Sequence, residues 1–225
     1  DDAFPDALAG TPLAVAKDGP LLLTPGDALE PTVSGELTRV LPPGATVYLL
    51  GGTLALSPAV ASAVSALGFT VVRFGGATRF DTATIIADQG LGNPSTILEA
   101  TGLDFPDALA AGAAAVKADG AVVLTDGTTQ SSATAAYLGT HPADTLYALG
   151  GPAAAAAPSA RPLVGSDRYQ TSTLVATAFF SSPRAVGIAT GLDFPDALSG
   201  GAHIGRLGGP LPNTDPGALS PPTQA

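Results

Sequence analysis

The chain has 225 residues, nine basic against 19 acidic, a net charge of −10, and no Cys, Met or Trp. That balance offers nucleic acid no basic footprint and an anionic membrane no polybasic stripe, and without Cys there are no disulfides, thiolate nucleophiles or Cys-bound metals. Apolar residues reach 45% but aromatics only 5%, so the core has to be Ala, Val and Leu, and no apolar run reaches the roughly 18 residues of a membrane span.

The word Phe-Pro-Asp-Ala-Leu stands at 4–8, 105–109 and 194–198. The offsets of 101 and 89 residues are far too long for a solenoid coil, so each copy belongs to a unit the size of a small domain. The chain opens inside the first unit, with no basic n-region or apolar h-region, and reads as a processed or trimmed fragment whose targeting segment is out of view. In the first copy Ala3 stands where the other two have Asp104 and Asp193. A strand is expected at 20–24, matched by 122–125. The word at 47–52 recurs at 146–151, each ending in a glycine pair. Ser57 and Pro58 open a helix to 67, which Gly68 ends, and a strand follows at 70–74.

The second unit reads as helix 79–90, strand 96–101, helix 105–117, strand 121–125, helix 129–139 and strand 145–149. Its strands are unalternating apolar runs, as strands buried on both faces require. Residues 73–82 match 162–171 only 89 apart, against 99 for the preceding word, so about ten residues are missing between them. The last helix of this unit is therefore expected to shrink to one turn or a loop at 152–158. The third unit reads as helix 168–180, strand 185–190 and helix 194 onward. Its Pro- and Gly-rich tail, 211–225, opens on a degraded copy of 21–24. The expected boundaries are 1–76 (partial), 77–164 and 165–225 (partial). Strands alternating with helices give an α/β fold with right-handed crossovers and parallel sheets.

Candidate functional residues fall at the strand-to-helix turns. Asp104 and Asp193 are placed to N-cap the helices that follow, with Pro106 and Pro195 in the first turn. Asp107 and Asp196 come three residues later, where a carboxylate can close a capping box, and Asp6 is their counterpart. The same turns sit at the carboxyl ends of parallel strands, where α/β folds form binding crevices. Arg79 and Arg168 share one repeat position; each can pair with an Asp of a neighbouring loop or contact an anionic ligand. The glycine pairs 51–52, 75–76 and 150–151 fit no phosphate-loop pattern and read as tight turns at positive φ. His141 and His203 occupy unmatched positions, no nucleophile or metal motif is present, and neither cofactor nor metal is expected.

The order of these words resembles the type 2 cell-wall-binding repeat family of Gram-positive surface proteins. The matching stretches are Arg168-Tyr169-Gln170-Thr171-Ser172, 189–198, 20–24 and 49–52. The resemblance implies tandem Rossmann-like or toprim-like repeats in a pseudo-three-fold arrangement. It also implies an extracellular module that anchors a secreted or surface protein, in the manner of S-layer anchoring, to a secondary cell-wall glycopolymer. Asp6, Arg79, Asp107, Arg168, Asp196, Asp104 and Asp193 are the candidate polymer contacts, with no catalytic residue among them. Two other readings stand beside it: a structural module whose incomplete end repeats build an oligomer or surface array, and a wall hydrolase.

Overall fold

A computed structural model describes residues 5–224. Phe4 of the first repeat word and Ala3 lie outside the described residues.

A single 3₁₀ turn (Pro5–Ala7) leads into α1 (Gly10–Ala16). Then come α2 (Pro31–Val40), β1 (Thr46–Leu50), α3 (Pro58–Ala66) and β2 (Thr70–Phe74). The second unit runs through α4 (Arg79–Ile85, continued as a π-helical stretch Ile86–Gly90), β3 (Thr96–Thr101), α5 (Pro106–Lys117) and β4 (Ala121–Thr125). It closes with α6 (Ser132–Thr140), β5 (Thr145–Leu149), α7 (Gly150–Ala156) and β6 (Arg161–Leu163). The third comprises α8 (Arg168–Phe179), β7 (Ala189–Thr190), α9 (Pro195–Arg206), β8 (Asn213–Thr214) and α10 (Pro221–Gln224).

Every strand pair is parallel. The middle sheet has the order β4-β3-β5-β6, with Ile97 opposite Ala121 and Leu146, and the outer units carry the pairs β1-β2 and β7-β8. Its central strand has no solvent face: Ile97, Leu98, Glu99 and Ala100 are all fully buried, which is why it shows no alternation.

The three helices that follow the repeat word, α1, α5 and α9, pack on one another around a pseudo-three-fold axis. Leu8, Leu109 and Leu198, the same residue of the word, are buried together in a core continuous through the three units. Thr11, Gly112 and Gly201 also share one repeat position, and they meet at the axis. A β-carbon on Gly112 would lie 2.8 Å from the β-carbon of Thr11, and one on Gly201 3.2 Å from its Oγ1. Small side chains let these helices touch backbone to backbone. Asn213 donates to the Pro106 carbonyl at 3.2 Å, and Arg206 pairs with Asp18, tying the third unit to the second and first.

Four sequence expectations need correction. Residues 21–24 form no strand, and their backbone joins no ladder among the described residues. Of 185–190 only Ala189–Thr190 is a strand, since its partner β8 is two residues long. The shortened segment of the second unit is a two-turn helix rather than one turn: α7 starts on Gly150 itself, whereas α3 starts seven residues beyond Gly51. The deletion therefore removed a loop, not the helix. The tail is also more regular than its Pro and Gly content suggests, holding β8 and α10.

Glu99 is the one acid on β3. Its Oε2 accepts from Gln130 Nε2 at 2.5 Å, while Glu99 Oε1 and Gln130 Oε1 are buried with no partner. Burial pushes its carboxyl above the ordinary range, with Gln130 opposing. A proton on Oε1 would supply the donor that the two orphan oxygens lack. A raised folded value means that stability is lost as pH rises. Glu99→Gln is thus expected to outlast the parent in urea at pH 8 and to lose that advantage at pH 4; an advantage independent of pH would contradict this.

Candidate functional site

The repeat aspartates mark the carboxyl ends of the parallel strands. In the second unit the turn after β3 is shaped locally: Thr101 Oγ1 accepts from the Leu103 N–H at 3.2 Å, and Asp104 Oδ1 accepts from the Phe105 N–H at 2.9 Å. The third unit repeats both bonds, Thr190 with Leu192 at 3.1 Å and Asp193 with Phe194 at 2.8 Å.

These bonds overturn the capping expectation. Helices α5 and α9 begin at Pro106 and Pro195, their N-caps are Phe105 and Phe194, and neither has a side-chain cap. Asp104 and Asp193 stand one residue too early and are occupied by the adjacent N–H. Asp107 and Asp196 therefore close no capping box. The true capping box lies on the Arg helix: Thr78 Oγ1 accepts from Asp81 N at 3.3 Å while Asp81 Oδ2 accepts from Thr78 N at 2.9 Å. Its counterpart, Asp167, caps α8 by accepting from Gln170 N at 2.8 Å.

Asp107 instead faces across the crevice to the end of β5. Gly150, at φ +80°, lies so close that a β-carbon there would overlap the Asp107 carboxylate. Gly51, at φ +121°, faces Asp6 in the same way, with a β-carbon 2.9 Å from Asp6 Oδ2. Only Gly can combine that conformation with that approach. Gly75 and Gly76 do not have positive φ; they are small because β-carbons there would meet the Gly51 carbonyl and Asp81.

Each crevice is completed by the Arg helix of the next unit. Arg79 donates to the Gly102 carbonyl at 2.6 Å, and Arg168 to the Gly191 carbonyl, also at 2.6 Å. Arg168 further lies 3.6 Å from Asp104 and 5.9 Å from the centre of the Phe105 ring, which packs at 6.0 Å on Phe194. Each arginine thus first of all fixes the turn of its own unit, and Arg168 in addition reaches Asp104 and Phe105 of the preceding unit. The structure brings together Asp6 with Arg79, and Asp104 with Asp107 and Arg168. Asp193 and Asp196 stand exposed on the third turn, where Asp196 has no side-chain partner among the described residues.

Burial raises the Asp6 carboxyl, opposed by a hydrogen bond from Thr82 and by Arg79. Asp107 is pushed up to about 6 from an ordinary 3.8, by burial first and Asp104 second, with Arg168 pulling down. Between those values the folded chain holds a proton that the unfolded chain releases, so stability present below pH 4 drains away up to pH 6. The half-buried carboxyl keeps some solvent, which limits the loss to about 1–2 kcal/mol. Asp107→Asn is expected to gain that amount at pH 7.5 and nothing at pH 3.5, read by urea unfolding.

Sequence reading missed Thr82 and Thr171, whose hydroxyls accept from Gly76 N and Gly165 N, both at 3.1 Å. Their fixed place three residues after the Arg of each copy was the available signal. Among the described residues no three His, Asp or Glu side chains converge as a metal site. His141 caps α6 against Tyr137, far along the chain from His203 on α9.

The family model of cell wall binding domain 2 matches residues 1–61, 73–157 and 163–224, one match per unit. The chain belongs to the cell wall binding domain 2 family. Among curated proteins it is 28% identical over 204 residues to the N-acetylmuramoyl-L-alanine amidase LytC of Bacillus subtilis, covering 88% of this chain and 40% of LytC. Among solved structures it resembles Cwp6 from Clostridium difficile (TM-score 0.86, 23% identity, 96% of this chain and 37% of that one). Cwp8 from the same organism is similar (TM-score 0.85, 24% identity, 99% and 40%). This chain of the binding-domain family spans about two fifths of each relative's length.

Proposed function

We propose that the chain is a non-catalytic, extracellular wall-binding module that holds a secondary cell-wall glycopolymer in the crevices between its units. The observation that carries this reading is the repetition of one arrangement: a carboxylate and a glycine turn from one unit, an arginine from the next. At Asp6–Arg79 and Asp107–Arg168 it recurs with little change. Membership of the wall-binding family supports the partner class.

The chemistry suits a polyol. With a net charge of −10 the chain has no general attraction for an anionic polymer. Sugar hydroxyls, however, can donate to Asp104 and Asp107, beside Gly151, the exposed member of its glycine pair. The half-buried Asp107 sits where one face of such a hydroxyl would be shielded from water. LytC is an N-acetylmuramoyl-L-alanine amidase, and this chain covers two fifths of its length, which with the family match supports a binding role rather than the amidase chemistry.

Sedimentation with purified walls tests this. Intact walls should carry the chain down, and walls stripped of secondary polymer should leave it in solution. Equal binding to both would sink the proposal.

A further inference from the structure

Of the nine basic side chains, most have a partner. Arg39 and Arg206 pair with acids, Arg73, Arg79 and Arg168 donate to carbonyls, and Lys17 and Arg161 lie over tyrosine rings. Lys117 and Arg184 have none among the described residues. An exposed cation alone is satisfied by water. These two, however, line one pocket of about 230 Å³ between the second and third units. Lys117 is in the last turn of α5, and Arg184 stands in the loop between α8 and β7. Phe180 and Leu207, just past the ends of α8 and α9, add apolar walls, and no acid among the described residues lines the pocket. Asp119 lies two residues beyond Lys117, and Asp18 is held by Arg206. A cleft lined by one sign of charge draws the opposite sign locally, whatever the net charge of the chain.

The loop adds neutral donors. Ser182 has φ +52°, and the N–H groups of Ser181, Ser182 and Arg184 have no partner among the described residues. Successive free N–H groups beside a left-handed residue form an anion-binding concavity. The second unit holds the same loop in closed form. By the repeat offset of 89, Gly92 and Asn93 correspond to Ser181 and Ser182, and Asn93 is also left-handed and followed by proline. There the Gly92 N–H donates to the Asp88 carbonyl at 3.0 Å and the Asn93 N–H to the Ala87 carbonyl at 2.9 Å. In the third unit the counterpart of Ala87 is Ala176, whose carbonyl is already taken by the Phe180 N–H. The cations differ too: the offsets put Ala16 in the place of Lys117 and Ser95 in that of Arg184. The equivalent place between the first and second units thus lacks both charges and both free N–H groups. Carbonyls at the ends of α5 and α9 would repel an anion, but those of Ala114, Ala115, His203 and Ile204 are occupied by N–H groups of the following turns.

We infer that this pocket is a phosphate site, held by the Lys117 ammonium, the Arg184 guanidinium and the N–H groups of Ser181 and Ser182, with both serine hydroxyls free to donate. A carboxylate could fill the arginine fork, but its two oxygens would leave the ammonium or the N–H pair unused, whereas the oxygens of a phosphate serve all of them. The phosphate belongs to a free phosphate ester or to a phosphodiester of a polymer. The site is separate from the crevices: α5 begins at a crevice and ends at the pocket, about 18 Å along its 12 residues.

The test follows the backbone amides of the whole chain by NMR at low salt as inorganic phosphate, phenyl phosphate or dimethyl phosphate is added. Inorganic phosphate should shift Ser181, Ser182 and Arg184 together and saturably, and leave Gly92 and Asn93 in place. Lys117→Ala and Arg184→Ala should each weaken binding about fivefold or more, with an unchanged circular dichroism spectrum, since both side chains are exposed. Arg161→Ala, the control, should bind as the parent does. Dimethyl phosphate binding as well as the monoester would support the site and assign it to a polymer phosphodiester; a clear preference for the monoester would support it and assign it to a free ester. Shifts that never saturate, that acetate reproduces at the same concentration, or that persist unweakened in both variants would overturn the inference.

Discussion

Gly112→Val is expected to lower the unfolding free energy by about 3 kcal/mol, a larger loss than any surface change in this chain should cause. Gly112 lies mid-way along α5, where glycine is locally unfavourable and any side chain should help the helix. Tertiary packing reverses that preference. The added β-carbon would lie 2.8–3.0 Å from three atoms of Thr11, itself 3% exposed and held between α5 and α9. Thr11 cannot retreat, because Gly201 meets it from the other side. Valine adds two methyl groups beyond that overlap, so the three helices must part. The control is Gly139→Ala on α6, whose β-carbon meets nothing within 4 Å. That change should stabilise by about 0.5–1 kcal/mol from helix propensity alone. Urea unfolding of the two variants should move in opposite directions; movement in the same direction would mean that the axis is not closely packed.

The second large effect is expected for Arg168→Ala, about 2 kcal/mol at pH 7.5. Its guanidinium satisfies the Gly191 carbonyl at 2.6 Å, faces Asp104 at 3.6 Å and covers the Phe105 ring. The ion pair alone is partly exposed and contributes little. The charged hydrogen bond to a carbonyl in the neighbouring turn is the larger part. Removing Arg168 also takes away the cation that offsets burial at Asp107, leaving two carboxylates side by side. The loss should therefore shrink at pH 4.5, where Asp107 carries its proton. A loss equal at both pH values would show that Arg168 acts only through Gly191. Arg168→Lys should recover less than half, since an ammonium cannot keep the planar fork over Phe105 while reaching Gly191.

Much of this fold is legible from residue pattern. The unalternating runs at 96–101 and 121–125 coincide with β3 and β4, because burial on both faces leaves no polar position to blur the edges, and the strands expected at 70–74 and 145–149 coincide with β2 and β5. The Thr78 and Asp167 caps were also readable, since both carry the capping side chain directly before the first helical residue. The Phe-Pro-Asp turns misled for a physical reason: Asp followed two residues later by Pro looks like a cap and first turn, yet the helix starts at the proline itself. What deflects Asp107 from the backbone is Gly150, 43 residues further along the chain, and no local pattern reports a contact of that range. The axis glycines were likewise invisible one at a time. Gly112 and Gly201 gain meaning only when aligned with Thr11, a comparison that the repeat offsets make possible.

Backbone NMR of the chain, titrated with soluble glycopolymer released from walls, tests the crevice assignment most directly. The amides of Gly102, Asp104, Gly150 and Gly151 should shift together and saturate at one polymer concentration, with Asp107→Asn weakening the response. The third turn around Asp196, which lacks a facing arginine among the described residues, should move least. Saturable shifts confined to other faces, such as α2 and α3, would contradict a binding site between the units.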